Sequence, residues 1–187
     1  MIKIHRIGER NLSINIDKVA EADLLFRAGD QAPILSILIT SQPDADAVAD
    51  GETEPFDWMD LRYMDDAPEL LIDADEIVLE VDEATLVLDY PFETPVTRYL
   101  CAENSVGFKR GALMKFIAET YRRVYELEAN SQSSPTPEPI DREGSLNRPA
   151  SDGEFGIYGH DYSDLGVSSI DAYEVSGKIW LVPEMES

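Results

Sequence analysis

Three patterns place the chain in the α+β class, with an antiparallel sheet packed against one main amphipathic helix. Residues 108–128 repeat apolar side chains at steps of three and four, the helical period. Ile77, Leu79 and Val81 alternate with Glu80 and Asp82, the period of a strand, and a second apolar run follows at 85–90. Residues 168–175 and 178–182 flank Ser176-Gly177, a two-residue hairpin turn. A length of 187 residues fits one domain, 1–187, with an acidic insertion over 41–76 and a flexible loop over 130–153.

Residues 2–7 read as a short strand. Leu12, Ile14 and Ile16 then alternate with polar neighbours, as in a half-buried strand. Asp17 can cap a helix over 18–28, whose Val19, Ala22, Leu25 and Phe26 fall at helical spacing before Gly29. Residues 34–40 are apolar and β-branched, so they predict a buried strand. Residues 41–54, rich in Pro, Asp, Ala, Gly and Glu, predict a solvated loop.

Phe56, Trp58, Met59, Leu61, Tyr63 and Met64 form an apolar island next. Large aromatics are mostly buried, which favours a segment packed on the core. The alternative is an exposed recognition patch, since Trp and Tyr anchor interfaces.

The runs at 77–81 and 85–90 predict a hairpin, and 96–101 a further strand after an irregular link containing Pro91 and Pro95. In the main helix, Leu113, Phe116, Ile117, Thr120, Val124 and Leu127 form the core stripe. Lys115, Glu119, Arg122 and Glu126 lie opposite. Lys115–Glu119, Glu119–Arg123 and Arg122–Glu126 are i,i+4 pairs worth about 0.3 kcal/mol each. Ser105 is the candidate cap. Residues 130–153 carry four prolines and several serines, the composition of a flexible loop.

The formal charge is −23, on a chain whose apolar share of 43% still supports a core. Residues 43–93 hold eighteen acids against Arg62 alone, while 1–42 are neutral and 94–130 carry a slight positive excess. This balance argues against direct binding to nucleic acid and against adhesion to anionic membranes. No apolar run approaches the ~20 residues of a membrane span, and the first residues lack a signal core. One cysteine and no signal segment favour a cytoplasmic setting. High acid with little Lys also fits salt adaptation, although the uneven distribution counts against it.

With two histidines and one cysteine, a Cys/His zinc site is not expected, and no cofactor is implied. His160, Asp161 and Asp164, flanked by Gly156, Gly159 and Gly166, form the tightest polar cluster. A histidine with two carboxylates can bind a divalent metal or act as a base with an orienting acid. The simpler expectation is that they hold a Gly-rich turn through backbone hydrogen bonds. Cys101 is expected to be a small buried hydrophobe, and nothing marks His5 as a ligand. Lys109 and Arg110 are expected to face the protein's own acidic block.

Residues 107–113 (Gly-Phe-Lys-Arg-Gly-Ala-Leu), 121–126 (Tyr-Arg-Arg-Val-Tyr-Glu) and 155–165 (Phe-Gly-Ile-Tyr-Gly-His-Asp-Tyr-Ser-Asp-Leu) carry a family pattern. It resembles an uncharacterised family found in large DNA viruses and some eukaryotes, in which Trp often stands at the place of Tyr158. The likeness covers about residues 84–187. It implies no catalytic role, but it does imply that the hairpin, helix, Gly-His-Asp turn and final hairpin form one unit.

The expected function is that of an acidic interaction or assembly protein without catalytic activity. It would bind a basic protein partner through Phe56, Trp58, Tyr63, Asp65 and Asp66. The alternatives are a metal-assisted hydrolase centred on His160, Asp161 and Asp164, and a nucleic-acid mimic with carboxylates in place of phosphates.

Overall fold

The computed structural model describes residues 14–19, 31–103, 106–142 and 147–187. The expected strand at 2–7, His5, most of the expected helix at 18–28 and the Ser105 cap lie outside them.

The fold is α+β. Its main sheet contains β1 (Asp17–Lys18), β2 (Leu35–Leu38), β3 (Met59–Asp60), β5 (Glu83–Leu88), β6 (Val96–Cys101), β8 (Gly166–Val175) and β9 (Lys178–Glu186). The strand order is β1-β6-β5-β9-β8-β2, with β3 pairing further along the β8 edge that carries β2. A separate two-stranded sheet joins β4 (Ile77–Leu79) to β7 (Phe108–Lys109). Among the described residues the α-helices are α1 (Ala45–Ala49), α2 (Tyr63–Asp66) and the 22-residue α3 (Arg110–Ser131).

α3 matches its sequence pattern. Leu113, Met114, Ile117, Tyr121 and Val124 are buried against Ala84, Leu86 and Leu88 of β5, Leu100 of β6, Ile170 of β8 and Leu181 of β9. The β8–β9 hairpin also forms as expected. Ser176 and Gly177 both take positive φ, 54° and 75°, the conformation that matches a tight turn to strand twist.

Several expectations change. The runs at 77–81 and 85–90 do not pair with each other. Of Asp82, Glu83 and Ala84, only Asp82 tolerates positive φ, and no Gly or Asn stands beside it to complete a tight turn. β4 pairs instead with β7, and β5 pairs with β6. One ladder is parallel rather than antiparallel, joining Thr85 to Trp180 and Leu86 to Leu181. Asp17 and Lys18 do not start a helix; they pair with Thr97 and Val96. Lys18 is drawn that way by the Glu154 carbonyl and carboxylate at 2.9 and 3.0 Å and by the Phe155 ring.

β2 is an edge strand rather than a buried one, with Leu38 67% and Ile34 56% exposed. Cys101 is exposed, because it falls on the sheet face away from α3. The expected i,i+4 pairs of α3 give way to two tertiary partners and one i,i+3 pair. Glu119 pairs with Arg98 of β6 at 3.2 Å, Arg122 pairs with Asp65, and Arg123 pairs with Glu126 one turn on.

The acidic segment 41–76 contributes to the core. Met59 and Leu61 are fully buried and Leu71 nearly so. The apolar island therefore divides, because Trp58 stays 39% exposed.

Gly107 sets the β4–β7 contact. At φ 130°, a Cβ there would lie 2.3 Å from the Leu79 carbonyl oxygen. Gly107→Ala is expected to cost about 2 kcal/mol or more, through strained backbone and lost pairing. A urea midpoint within error of the wild type would refute this.

Candidate functional site

Two places collect the residues singled out by sequence: the acidic surface around Trp58, and the Gly-His-Asp turn.

On the acidic surface, α1 begins at Asp44, whose carboxylate accepts from the Ala47 N–H at 2.8 Å and from the Tyr63 hydroxyl. These two bonds, Ala47 first, hold the Asp44 carboxyl below its usual value. The Tyr63 phenol is pushed up to about 12, chiefly by the same carboxylate. Tyr63 is thus a half-buried brace rather than an exposed anchor.

Part of the acidic charge is neutralised within the molecule. Asp60 is buried and accepts from the Arg62 N–H, Nε and Nη2 at 2.7, 2.9 and 2.6 Å. Asp65 pairs with Arg122, Asp75 with Lys109 at 2.7 Å, and Glu76 with Arg110 at 2.8 Å. Lys109 and Arg110 therefore do face the acidic block.

Five of the remaining carboxylates lie close together in sequence around the aromatic pair. Asp46, Asp50, Glu52, Glu54 and Asp57 are exposed and make no ion pair with any described residue. Beside them, Phe56 and Trp58 stack with ring centroids 6.0 Å apart. Ser41 fixes this pair. It exchanges backbone hydrogen bonds with Phe56, at 3.0 and 2.9 Å, and its hydroxyl donates to the Trp58 carbonyl at 2.7 Å. The Trp58 ring lies over Gly166, where a Cβ would come within 2.6 Å of Cε3. Val48, 56% exposed, adds apolar surface on α1. Of the predicted interaction residues, Phe56, Trp58 and Asp66 present surface, while Asp65 and Tyr63 are engaged internally.

In the turn, Asp161 receives two arginines. Arg142 Nη2 lies 2.7 Å from Oδ2 and Arg148 Nη1 3.1 Å from Oδ1, and these guanidinium side chains are only 4% and 10% exposed. Asp161 also caps the short 3₁₀ turn Tyr162–Asp164, and Asp164 reciprocates by accepting from the Asp161 N–H at 3.0 Å. The His160 carbonyl accepts from the Tyr125 hydroxyl at 2.8 Å, and its ring lies 5.8 Å from that of Tyr90. Burial pushes the Tyr125 phenol well above its usual value. Among the described residues, no three His, Cys, Asp or Glu side chains converge as a metal site. His160, Asp161 and Asp164 adjoin one another, but the carboxylates serve the turn and the arginines.

Sequence reasoning missed Arg142, Arg148 and Glu128. Glu128 is fully buried at the end of α3. Its carboxylate accepts from the Ser151 hydroxyl and from the Gly153 and Phe155 N–H groups, at 3.0 and 2.7 Å. Burial raises its pKa, but these bonds outweigh that effect and hold the carboxyl below its usual value. The available signal was its place four residues beyond Val124, on the apolar stripe.

No family model, curated protein or solved structure matches the chain. No helix among the described residues is long and apolar enough to cross a membrane.

Proposed function

We propose that this is an acidic interaction protein, without catalytic activity of its own, that binds a basic protein partner. The observation that carries the reading is the surface at 44–58. Five exposed carboxylates without an ion pair among the described residues flank a stacked Phe56–Trp58 pair whose indole is part exposed. Unpaired carboxylates supply long-range attraction, which governs encounter rate and register. A part-exposed Trp supplies the apolar anchor that interface energetics require. Asp60, Asp65, Asp75 and Glu76 are paired internally, whereas the five exposed carboxylates of that surface make no ion pair with any described residue.

Binding of a Lys-rich peptide tests the reading. Affinity is expected to fall at least about tenfold as salt rises from roughly 50 to 300 mM. Neutralising Asp50, Glu52, Glu54 and Asp57 as amides is expected to weaken it about tenfold. Trp58→Ala is expected to weaken it further, with circular dichroism unchanged. Salt-independent binding, or none, would overturn the proposal.

A further inference from the structure

The edge of β2 stands beside this surface. β2 pairs only with β8 in the sheet order, and β3 occupies the same β8 edge further along. Trp58 lies over Gly166 and Leu38 pairs opposite Ser169, so the two lie on neighbouring parts of one edge. The Ile39 N–H donates to the Ser168 carbonyl at 2.9 Å. Antiparallel alternation then directs the N–H and C=O groups of Ser36 and Leu38 away from β8. Among the described residues, no strand takes them up.

Edge strands are ordinarily guarded by charge, proline or a bulge within the strand. The sequence of β2, Leu-Ser-Ile-Leu, has none of these. Ile34, Leu35 and Leu38 are all exposed. The charges on the adjoining strands are of one sign. β2 has none, β3 carries Asp60, and β8 carries Asp171 and Glu174 without a single Lys or Arg. Asp171 sits opposite Ser36, whose hydroxyl donates to it at 2.5 Å.

We infer that the β2 edge receives an extended basic segment of the partner as an added strand. On the face it shares with Leu38 and Ile34 the segment would present apolar side chains to those residues and cations to Asp171, which stands on that face opposite Ser36. Main-chain pairing supplies affinity in this mode, and alternate side chains supply specificity. The inference rests on the basic-partner reading above and adds how the partner is held.

The test uses a ten-residue peptide repeating Lys-Lys-Val-Val, which puts both residue types on each face, and the same peptide N-methylated at every residue. Methylation keeps charge and side chains but removes the donors needed for pairing. The unmodified peptide is expected to bind at least tenfold more tightly than the methylated one. Leu38→Lys should abolish most of that difference, and Ser36→Pro should do likewise. Proline is tolerated where an edge N–H faces outward, so the host ladder is kept.

Equal, salt-sensitive binding of both peptides would overturn the edge inference and leave the basic-partner reading standing. Failure of both peptides to bind would remove the two together. A dimer in sedimentation that Leu38→Lys dissolves would assign the edge to a second copy and overturn the inference.

Discussion

Replacing Glu128 by alanine is expected to destabilise the protein by roughly 3 kcal/mol or more, among the largest effects of any single change. The substitution removes one acceptor and strands the Gly153 and Phe155 N–H groups, Phe155 in a buried position, while the Ser151 hydroxyl keeps the Ile157 carbonyl. Each buried donor without a partner costs about 1–3 kcal/mol, and bonds to a charged acceptor are stronger than neutral ones. Glu128→Gln should cost less, about 2 kcal/mol, because its amide keeps one acceptor and turns a donor toward another donor.

Gly153→Ala should damage the same site from the other side, since a Cβ there would lie 2.5 Å from the Glu128 carboxyl carbon. Urea midpoints with an unchanged m-value would measure these losses. Glu128 also predicts an acid dependence. Its carboxyl titrates lower in the folded state than unfolded. Its contribution is therefore full above the unfolded value, near 4.5, and is lost as pH falls through the folded value. Wild type should lose stability over that range more steeply than Glu128→Gln. Parallel pH profiles would contradict this.

Asp161→Ala is expected to be the second large loss, roughly 3–5 kcal/mol. It removes the carboxylate that two nearly buried guanidinium groups share. The variant should recover much of its stability when Arg142 and Arg148 are both replaced by methionine, because the two buried charges are then removed with their partner. His160→Ala should lie within about 1 kcal/mol of wild type, since the ring itself touches mainly Tyr90. A His160 effect as large as that of Asp161 would point back to a chemical role for the pair.

The legible and illegible parts of this fold separate on physical grounds. α3 and the β8–β9 hairpin depend on local period and on a local turn, so their residues announce them. The pairing of β4 with β7 depends on a close approach permitted by Gly107, nearly thirty residues from its partner, and no local pattern encodes that. β2 looked buried because Ile37 and Ile39 are buried, while its other face and its edge are open. The acidic surface could be read from composition as a charge, but not as a place. Which carboxylates are matched by Arg122, Lys109 and Arg110 is decided by helix packing. The Gly-His-Asp turn was legible as a turn, and the two arginines that lock it were hidden in a proline-rich segment.

The strand order carries a consequence for how the molecule is made. β9 comes last of the strands in sequence yet stands in the middle of the sheet, between β5 and β8. The β5–β6 hairpin and α3 emerge from the ribosome well before it, and until residues 178–186 are available β5 keeps one raw flank. The seam that closes the sheet joins Thr85 to Trp180, a separation that makes this step slow relative to the local hairpins. A nascent chain halted before β9 should therefore be sticky and protease-sensitive, held by chaperones in a window that the finished protein never revisits.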